Sequence, residues 1–179
     1  MILRLILIRH SLTYLNTNNL YSGQLDVPII ENIYPNVIPT FDLCLSSTMV
    51  RCKQTVSLLN KDNKDVIYDD RLIEAGYGEI TGNLRNHIKF KRSFFNHPPY
   101  SPFYKSESIY ESGIRAYNCL EDHKNLFLLN GINDLLIVSH KNTLRGLWYQ
   151  LNMKEFTIED FDNFPKFKNC IPVYRTIKL

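Results

Sequence analysis

The sequence predicts a three-layer α/β/α sandwich with a mostly parallel central sheet, and three observations lead to this fold class. First, residues 1–8 and 134–139 are near-continuous apolar runs, typical of strands buried on both faces of a parallel sheet. Second, segments with apolar residues at helical spacing separate the strand-like runs. Third, the 179 residues are 44% hydrophobic and 22% charged, as in ordinary globular domains. We therefore expect one domain spanning residues 1–179.

A long irregular segment separates the first two predicted strands. Residues 1–8 form the first strand, and residues 41–45 form the second. Between them, Pro35 and Pro39 oppose a helix in residues 29–40.

A helix follows the second strand, and Ser47 or Thr48 is expected to cap it. Its apolar residues recur at helical spacing: Met49, Cys52, Val56 and Leu59.

The middle of the chain carries weaker patterns. Residues 66–68 predict a short third strand, and residues 72–82 read as a glycine-containing loop. Residues 84–95 are a candidate helix, which the prolines from Pro98 onward would end.

The last third of the chain alternates clearly between helix and strand. Residues 106–130 predict one long amphipathic helix that stops at Gly131. Residues 134–139 form the second buried strand, and residues 143–151 resume helical character. Residues 173–179 alternate between apolar and polar residues, as expected for a final edge strand.

Charge and hydropathy exclude several kinds of partner. The formal net charge is only +3, and the basic run of Lys89, Lys91 and Arg92 is short, which favours a solvated helix face over a nucleic-acid site. No segment approaches the roughly 20 apolar residues of a membrane span. Residues 1–8 are interrupted by Arg4 and lack a cleavage site, so they do not resemble a signal peptide. We expect a cytoplasmic protein without membrane or nucleic-acid partners.

The four cysteines indicate neither a metal site nor a disulfide framework. They are widely spaced and form no C-x-x-C pair: Cys44, Cys52, Cys119 and Cys170. Isolated thiols suit a reducing compartment.

Two histidines mark the candidate site, because each lies at the carboxyl end of a predicted buried strand. Arg9 and then His10 follow the first strand, and His140 follows the strand 134–139. The carboxyl ends of parallel strands meet at one edge of a sheet, where ligands bind. One such histidine would be a weak signal, but the pair predicts a shared crevice.

Arginines near these histidines indicate an anionic ligand. Arg9 adjoins His10, and Arg51 lies at the start of the helix after the second strand. Guanidinium groups match the geometry of phosphate oxygens, and helix starts also attract anions. For Arg51 alone a surface ion pair is the simpler interpretation, but the combination favours an anion site.

Five blocks of sequence, in chain order, carry a recognisable set of motifs. They are residues 7–13 (LIRHSLT) followed by Asn16, Gly23, Asp26 and Pro28; residues 46–55 (SSTMVRCKQT); residues 72–78 (LIEAGYG); residues 138–145 (VSHKNTLR); and residues 168–170 (KNC). These blocks resemble those of the histidine phosphatase superfamily, which includes cofactor-dependent phosphoglycerate mutase and α-ribazole phosphatase. The resemblance covers nearly the whole chain and implies the phosphoglycerate mutase-like fold.

The resemblance also implies a role for each matched residue. His10 would be the nucleophile that becomes a phosphohistidine, and Glu74 would be the general acid and base. Arg9, Arg51 and His140 would hold the phosphoryl oxygens, with His140 also counted among the catalytic residues. Asn16 would add a further donor. Neither a metal nor another cofactor is implied.

Some positions leave alternatives open. The other acids that could take the role of Glu74 are Glu79, Asp69, Asp70 and Glu107. Ser11 replaces a usual glycine and could narrow the pocket or add a hydroxyl donor. Lys141 also replaces a glycine, and it either adds a cation to the site or points to solvent. Arg145 is expected to be a structural ion-pair partner rather than a ligand.

The predicted function is hydrolysis of a small phosphorylated metabolite. The length of 179 residues resembles the compact phosphatases of the superfamily, among which α-ribazole phosphatase is the nearest model, rather than the mutases with their longer insertions. Phosphoglycerate mutase-type transfer and a catalytically weak phospholigand-binding protein are the alternatives. A homodimer is one option for the oligomeric state.

Overall fold

The computed structural model describes residues 1–30, 39–85, 105–152 and 165–179. Within them, five strands form one sheet in the order β3-β2-β4-β1-β5. The strands are β1 (Ile2–Arg9), β2 (Leu43–Ser46), β3 (Val66–Tyr68), β4 (Asp134–Ser139) and β5 (Pro172–Lys178). The helices are α1 (Tyr14–Thr17), α2 (Val50–Leu59), α3 (Ile109–Asp122), α4 (Lys124–Leu129) and α5 (Lys141–Gln150).

The sheet is parallel except for its last edge strand. Strand β1 pairs with β4 in parallel, and β2 pairs with β4 and β3 in parallel. Strand β5 pairs with β1 in the antiparallel sense. The predicted sandwich with a mostly parallel sheet is therefore confirmed, and so is the position of the final strand at an edge.

Helices cover both faces of the sheet. Alternate residues of β1 divide between two apolar clusters: Leu3, Leu5 and Leu7 pack toward α3, α4 and α5, whereas Ile6 and Ile8 pack toward α2. Because successive side chains of a strand point to opposite faces, the near-continuous apolar run of β1 supplies both clusters at once. Because β1 and β2 both pair with β4 in parallel, the carboxyl ends of these three strands lie at one edge of the sheet.

Helices α3 and α5 cross at two glycines. A Cβ atom on Gly113 would lie 2.5 Å from the backbone of Gly146, and one on Gly146 would lie 2.3 Å from the carbonyl oxygen of Ile109. Any larger residue would force the helices apart. This close approach fixes α5 against α3, and with it the residues at the start of α5.

Three details differ from the sequence prediction. The expected helix 106–130 is divided into α3 and α4 at His123, so its stop at Gly131 belongs to α4. Helix α5 begins at Lys141, two residues earlier than predicted, directly after His140.

The third difference concerns the cap of α2. Met49 occupies the cap position without a side-chain hydrogen bond, and the Ser47 hydroxyl instead accepts from the Met49 N–H at 3.3 Å. The candidate helix 84–95 and most of the segment 29–40 lie outside the described residues.

Candidate active site

The two histidines predicted to share a crevice do lie together. Arg9 and Ser139 are register partners of β1 and β4, and the backbone N–H of His10 donates to the Ser139 carbonyl at 2.9 Å. The centroids of the His10 and His140 rings are 5.1 Å apart. Parallel pairing of the two strands thus converts two distant sequence positions into one site.

The His10 ring is held in a single protonation state. Its Nδ1 lies 2.6 Å from the Ser11 carbonyl oxygen, which can only accept, so Nδ1 carries the proton. Burial lowers the pKa of His10 well below its usual value, and the charges of Arg9 and Arg51 lower it further. The ring is therefore neutral, and Nε2 keeps a free lone pair.

Two residues that the sequence prediction did not assign a role hold the loop behind His10. Asn169 donates through Nδ2 to the carbonyl oxygens of His10 and Ser11, at 2.7 and 3.3 Å. Thr55 accepts from the Ser11 N–H at 2.8 Å and donates to the Arg51 carbonyl at 2.6 Å. Asn169 belonged to a recognised block, and Thr55 closed another, so their motif positions were the available signal.

The Ser11 side chain is buried and forms a hydrogen bond with the Cys170 thiol. Its hydroxyl is thus engaged with the residue that precedes β5. This contact favours a structural role for Ser11.

Asn16 is oriented by the same network. Its Oδ1 accepts from the Thr13 N–H at 3.2 Å and from Asn169 Nδ2 at 3.4 Å. Thr13 and Asn16 also form the capping box of the short helix α1. These bonds use the amide oxygen and leave the amide N–H groups to serve as donors.

Arg51 is fully buried, so the simple surface ion pair is wrong. Its Nη2 donates to the Gly23 carbonyl at 2.8 Å, and Nη1 donates to the Leu25 carbonyl at 2.5 Å. Its Nε donates to Nδ1 of His140 at 3.1 Å. Each Nη atom carries two protons, so one donor of each remains for a ligand.

His140 is buried with both ring nitrogens bonded to protein groups. Nδ1 accepts from Arg51, so Nε2 carries the proton and donates to the Ser47 hydroxyl at 2.9 Å. Burial lowers the pKa of His140 well below its usual value, and the charge of Arg51 lowers it further. In this arrangement the neutral ring orients Arg51, while its predicted contact with phosphoryl oxygens stays a prediction.

Arg9 has a buried donor, its Nε, without a protein acceptor among the described residues. Burial lowers the pKa of Arg9, whereas the nearby charge of Glu74 opposes that change. A buried guanidinium donor without a protein acceptor is costly unless a ligand satisfies it.

Glu74 is buried, and its carboxylate lies against the first turn of α5. Its Oε1 accepts from the backbone N–H of Ala75 at 3.0 Å and from those of Asn142 and Thr143 at 3.2 Å each. The hydrogen bonds that the described residues make to this carboxylate all end on Oε1. Oε2 is therefore the oxygen available to exchange a proton.

Backbone contacts fix the position of Glu74 as well. Its carbonyl oxygen accepts from Gln24 Nε2 and from Arg115 Nη2, both at 3.1 Å. Arg115 also pairs with Glu107 at 2.7 Å, and Glu107 accepts from the Gly76 N–H at 3.1 Å. Glu107 thus supports the loop rather than competing for the role of Glu74.

The remaining acidic candidates are occupied elsewhere. Asp69 pairs with Arg71 at 2.8 Å, and Asp70 accepts from the Thr48 hydroxyl at 2.5 Å. Glu79 is exposed, 3.8 Å from Lys105 Nζ.

Two further residues lie near Glu74: the sequence indicated no role for Tyr77 and left two alternatives open for Lys141. Tyr77 is buried, and its hydroxyl accepts from Asn142 Nδ2 at 2.6 Å. Lys141 does not simply point to solvent. It lines a cavity together with Arg9, and burial lowers its pKa to about 8, with Arg145 and Arg9 adding to the effect.

One group of potential metal ligands lies outside this site. Ligand atoms of Asp69, Cys119 and His123 lie within 4.8 Å of one another. Arg71 already neutralises Asp69 and lowers its pKa to about 2, and burial raises the pKa of Cys119 to about 12. A protonated thiol beside an arginine disfavours metal binding there.

Comparison with known proteins defines the class to which this chain belongs. The model of the histidine phosphatase superfamily (branch 1) matches residues 36–173, so the chain belongs to that superfamily. The match begins after Arg9 and His10, so it rests on the other four blocks.

Relatives that are similar in sequence carry the name of a phosphoglycerate mutase. The 2,3-bisphosphoglycerate-dependent phosphoglycerate mutase of Nautilia profundicola is 25% identical, over 92% of this chain and 89% of its own length. The protein of the same name from Rhizobium etli is 27% identical, over 87% of this chain and 82% of its own.

Among similar solved structures, three chains carry the name of a phosphatase. The mycobacterial glucosyl-3-phosphoglycerate phosphatase has a TM-score of 0.79 at 17% identity, covering 98% of this chain and 91% of its own. A putative α-ribazole-5′-P phosphatase from Escherichia coli has a TM-score of 0.73 at 20% identity, with the same coverage. The phosphoserine phosphatase of Entamoeba histolytica has a TM-score of 0.77 at 20% identity, covering 96% and 89%. These likenesses establish the fold.

Among the described residues, no helix combines the length and apolar character that crossing a membrane requires.

Proposed function

We propose that this protein is a phosphomonoesterase that hydrolyses a small phosphorylated metabolite through a phosphohistidine on His10. The observation that carries the proposal is the state of the His10 ring. Its Nδ1 proton is fixed on the Ser11 carbonyl, and its lowered pKa keeps Nε2 unprotonated beside buried arginines. A neutral, oriented imidazole among cationic donors is the arrangement required for attack on phosphorus.

The donors around His10 suit the charge of a phosphoryl group. Arg9 offers a guanidinium whose Nε lacks a protein acceptor among the described residues, and Arg51 keeps one donor on each Nη atom. The amide of Asn16 adds another donor, and neutral His140 holds Arg51 in place. Because these donors are fixed before the reaction, they stabilise developing charge without reorganisation.

Glu74 completes the proposed cycle. As His10 Nε2 forms a bond to phosphorus, the bond to the ester oxygen breaks, and Glu74 Oε2 delivers a proton to that oxygen. The resulting carboxylate then takes a proton from water, which attacks the phosphohistidine and releases phosphate. Three backbone N–H groups hold Oε1 throughout, so the proton exchange is confined to Oε2.

Hydrolysis of 4-nitrophenyl phosphate in the presence of a chelator tests the proposal. We expect the wild-type protein to release phosphate and the His10→Ala variant to lose activity. Rapid acid-free quenching with ³²P-labelled substrate should trap label on the wild-type protein but not on the variant. Full activity of His10→Ala, or an absolute requirement for added divalent metal, would contradict the mechanism. His123→Ala is the matched control, since His123 lies at the junction of α3 and α4.

Phosphoglycerate mutase-type transfer is the second candidate, and the curated relatives of that name favour it. It would use the same phosphohistidine but return the phosphoryl group to another hydroxyl. Incubation with 3-phosphoglycerate and a catalytic amount of 2,3-bisphosphoglycerate distinguishes the two. Formation of 2-phosphoglycerate faster than free phosphate would establish the mutase, whereas release of phosphate alone supports the phosphatase.

A further inference from the structure

A cavity lined largely by charged residues lies beside the candidate active site. It has a volume of about 390 Å³ and shares Arg9 with that site. Its charged lining residues, among those that the structure describes, are all cations: Arg9, Lys141, Arg145, Lys166 and Lys168. They come from the end of β1, the first turns of α5 and the segment that precedes β5.

The cavity concentrates positive charge, and no carboxylate is among its described lining residues. Like charges around one space repel one another, and burial strengthens the repulsion. This repulsion is visible at Lys141, whose pKa is lowered to about 8 by burial and then by Arg145 and Arg9. Glu74 is the acid that acts on Lys141, but its Oε1 is committed to the backbone of α5. A bound anion would relieve the repulsion.

Arg9, already assigned to the ester phosphate, also lines the cavity. Within the described part of the chain, its Nε is buried and lacks a hydrogen-bond partner, although the guanidinium lines the cavity. A planar guanidinium presents donors along two edges, so one arginine can contact two anionic groups at once. Arg9 is thus placed to contact both the ester phosphate at His10 and a second anion in the cavity.

Lys141, which lines the cavity, is a departure of this chain from the family pattern. The family pattern has glycine after the second histidine, whereas this chain places a lysine there. A glycine at this first position of α5 would leave the cavity without its central cation. The substitution therefore changes which substrates the site can attract, without altering His10 or Glu74.

We propose that this cavity binds a second negatively charged group of the substrate, a carboxylate or a phosphate, on the leaving-group side. The preferred substrates are accordingly small phosphomonoesters that carry another acidic group a few bonds from the ester. The proposal rests on the proposed phosphatase function and names its substrate class. Lys141, Lys166 and Lys168 select the second charge, and Arg9 joins the two subsites.

Pairs of esters that differ by one charge test this assignment. ω-Phosphooxy carboxylates of two to four carbons are compared with their primary amides, and the corresponding terminal bisphosphates form a third arm. We expect kcat/KM for the best carboxylate or bisphosphate to exceed that of the matching neutral compound by on the order of tenfold or more. Whichever anion is preferred identifies the second group. Equal rates for all three arms would overturn the proposal.

Lysine variants assign the preference to the cavity. In Lys141→Met the ratio of charged to neutral substrate should fall severalfold, and in the Lys141→Met/Lys166→Met/Lys168→Met protein it should approach one. Lys178→Gln, which removes an exposed charge from the far end of β5, should retain the wild-type ratio. A ratio that survives the triple substitution would show that the second anion binds elsewhere. Circular dichroism confirms that each variant is folded.

Binding to the His10→Ala protein separates this inference from the proposed function. Calorimetric titration with the carboxylate ester and its amide measures the charge preference without turnover. Preferential binding of the carboxylate, together with absence of hydrolysis by wild type, would retain the subsite and reject the phosphatase. Hydrolysis by wild type without any charge preference would retain the phosphatase and reject the subsite.

Discussion

Arg9 lies between two regions of the site, which differ in whether protein acceptors satisfy their donors. Around His10 and Arg51, protein acceptors already satisfy most donors: the Ser11 carbonyl for the histidine, and the Gly23 and Leu25 carbonyls for the arginine. In the neighbouring cavity, cations line the space without a carboxylate among the described lining residues. The first region is preorganised for one group, whereas the second requires an anion from solution.

The difference teaches where rate and selectivity should reside. Preorganised donors stabilise a transition state, so their loss should lower kcat. Solvent-facing cations such as Lys166 and Lys168 attract substrate and should affect KM and its salt dependence. Substitutions in the two regions can therefore be told apart by their kinetics.

Glu74→Gln should have the largest effect of the following substitutions. Glutamine keeps an oxygen that can accept from the three N–H groups now bonded to Oε1, but it cannot exchange a proton. We expect kcat to fall by about 10²–10⁴ for alkyl phosphates, with a smaller loss of the phosphorylation step for 4-nitrophenyl phosphate, whose leaving group needs no acid. Steady-state and rapid-quench kinetics measure both effects.

The matched control for Glu74 is Glu79→Gln, because Glu79 is exposed in the same loop. Its kcat should stay within about twofold of wild type, as is usual for surface substitutions. An equal loss for both variants would contradict the role of Glu74.

Gly146→Ala should damage both regions together, because α5 carries Lys141 at its start and the N–H groups that hold Glu74. The added Cβ would lie 2.3 Å from the Ile109 carbonyl oxygen, so the helices must separate. We expect a loss of roughly 1–3 kcal/mol in the free energy of unfolding, measured by urea denaturation, together with reduced activity.

Gly76→Ala provides the control for added volume. A Cβ there would meet Gln24 Nε2 at 3.5 Å, which is an ordinary contact. Its free energy of unfolding should change by less than about 1 kcal/mol. A comparable loss would show that the α3–α5 crossing is not special.

The strand ends at His10 and His140 could be predicted from the sequence, since two apolar runs each end at a histidine and parallel strands align their carboxyl ends. Arg51 could be placed near them by its motif. Its complete burial could not, because that depends on the Gly23 and Leu25 carbonyls folding over it. Burial follows from tertiary packing, which no local pattern contains.

The cationic cavity shows the same limit. Lys166 and Lys168 are ordinary lysines in the sequence, and only the return of the chain beside β1 brings them to Arg9. Only Lys141, which replaces a glycine in a motif, carried a sequence signal. The division of the predicted helix 106–130 at His123 was equally invisible, because the apolar pattern continues across the break.

Asn169→Ala should have an intermediate effect that acts chiefly on the preorganised region, although Asn169 also lines the cavity. It removes bonds to the carbonyls of His10 and Ser11 and to Asn16 Oδ1. We expect kcat to fall about tenfold, since misplacement of a nucleophile is costly, with little change in the carboxylate-to-amide ratio. Asn130→Ala removes a similar amide-to-carbonyl bond at the end of α4 and should leave kcat unchanged. A change in the charge ratio without loss of kcat would show that Asn169 acts through the cavity, which it also lines, rather than through the loop behind His10.

The smallest expected effect is a pH dependence confined to the cavity. Burial, then Arg145 and Arg9, lowers the pKa of Lys141 to about 8. The other charged groups that face it are Arg85, Glu74, Lys166 and Lys168. Below pH 8 the lysine is protonated and attracts a second anion; above pH 8 it is neutral, so the carboxylate-to-amide ratio of kcat/KM should decline severalfold between pH 7 and 9.

Dividing by the rate for the amide ester removes every titration that the two substrates share, including that of the ester phosphate. Because kcat/KM reports the free enzyme, the midpoint of the decline should lie near the pKa of unliganded Lys141. In Lys141→Arg, which stays charged throughout this range, the ratio should remain level to pH 9. A decline of the same size in that variant would show that another group controls the preference, and that the two regions are less independent than their contacts indicate.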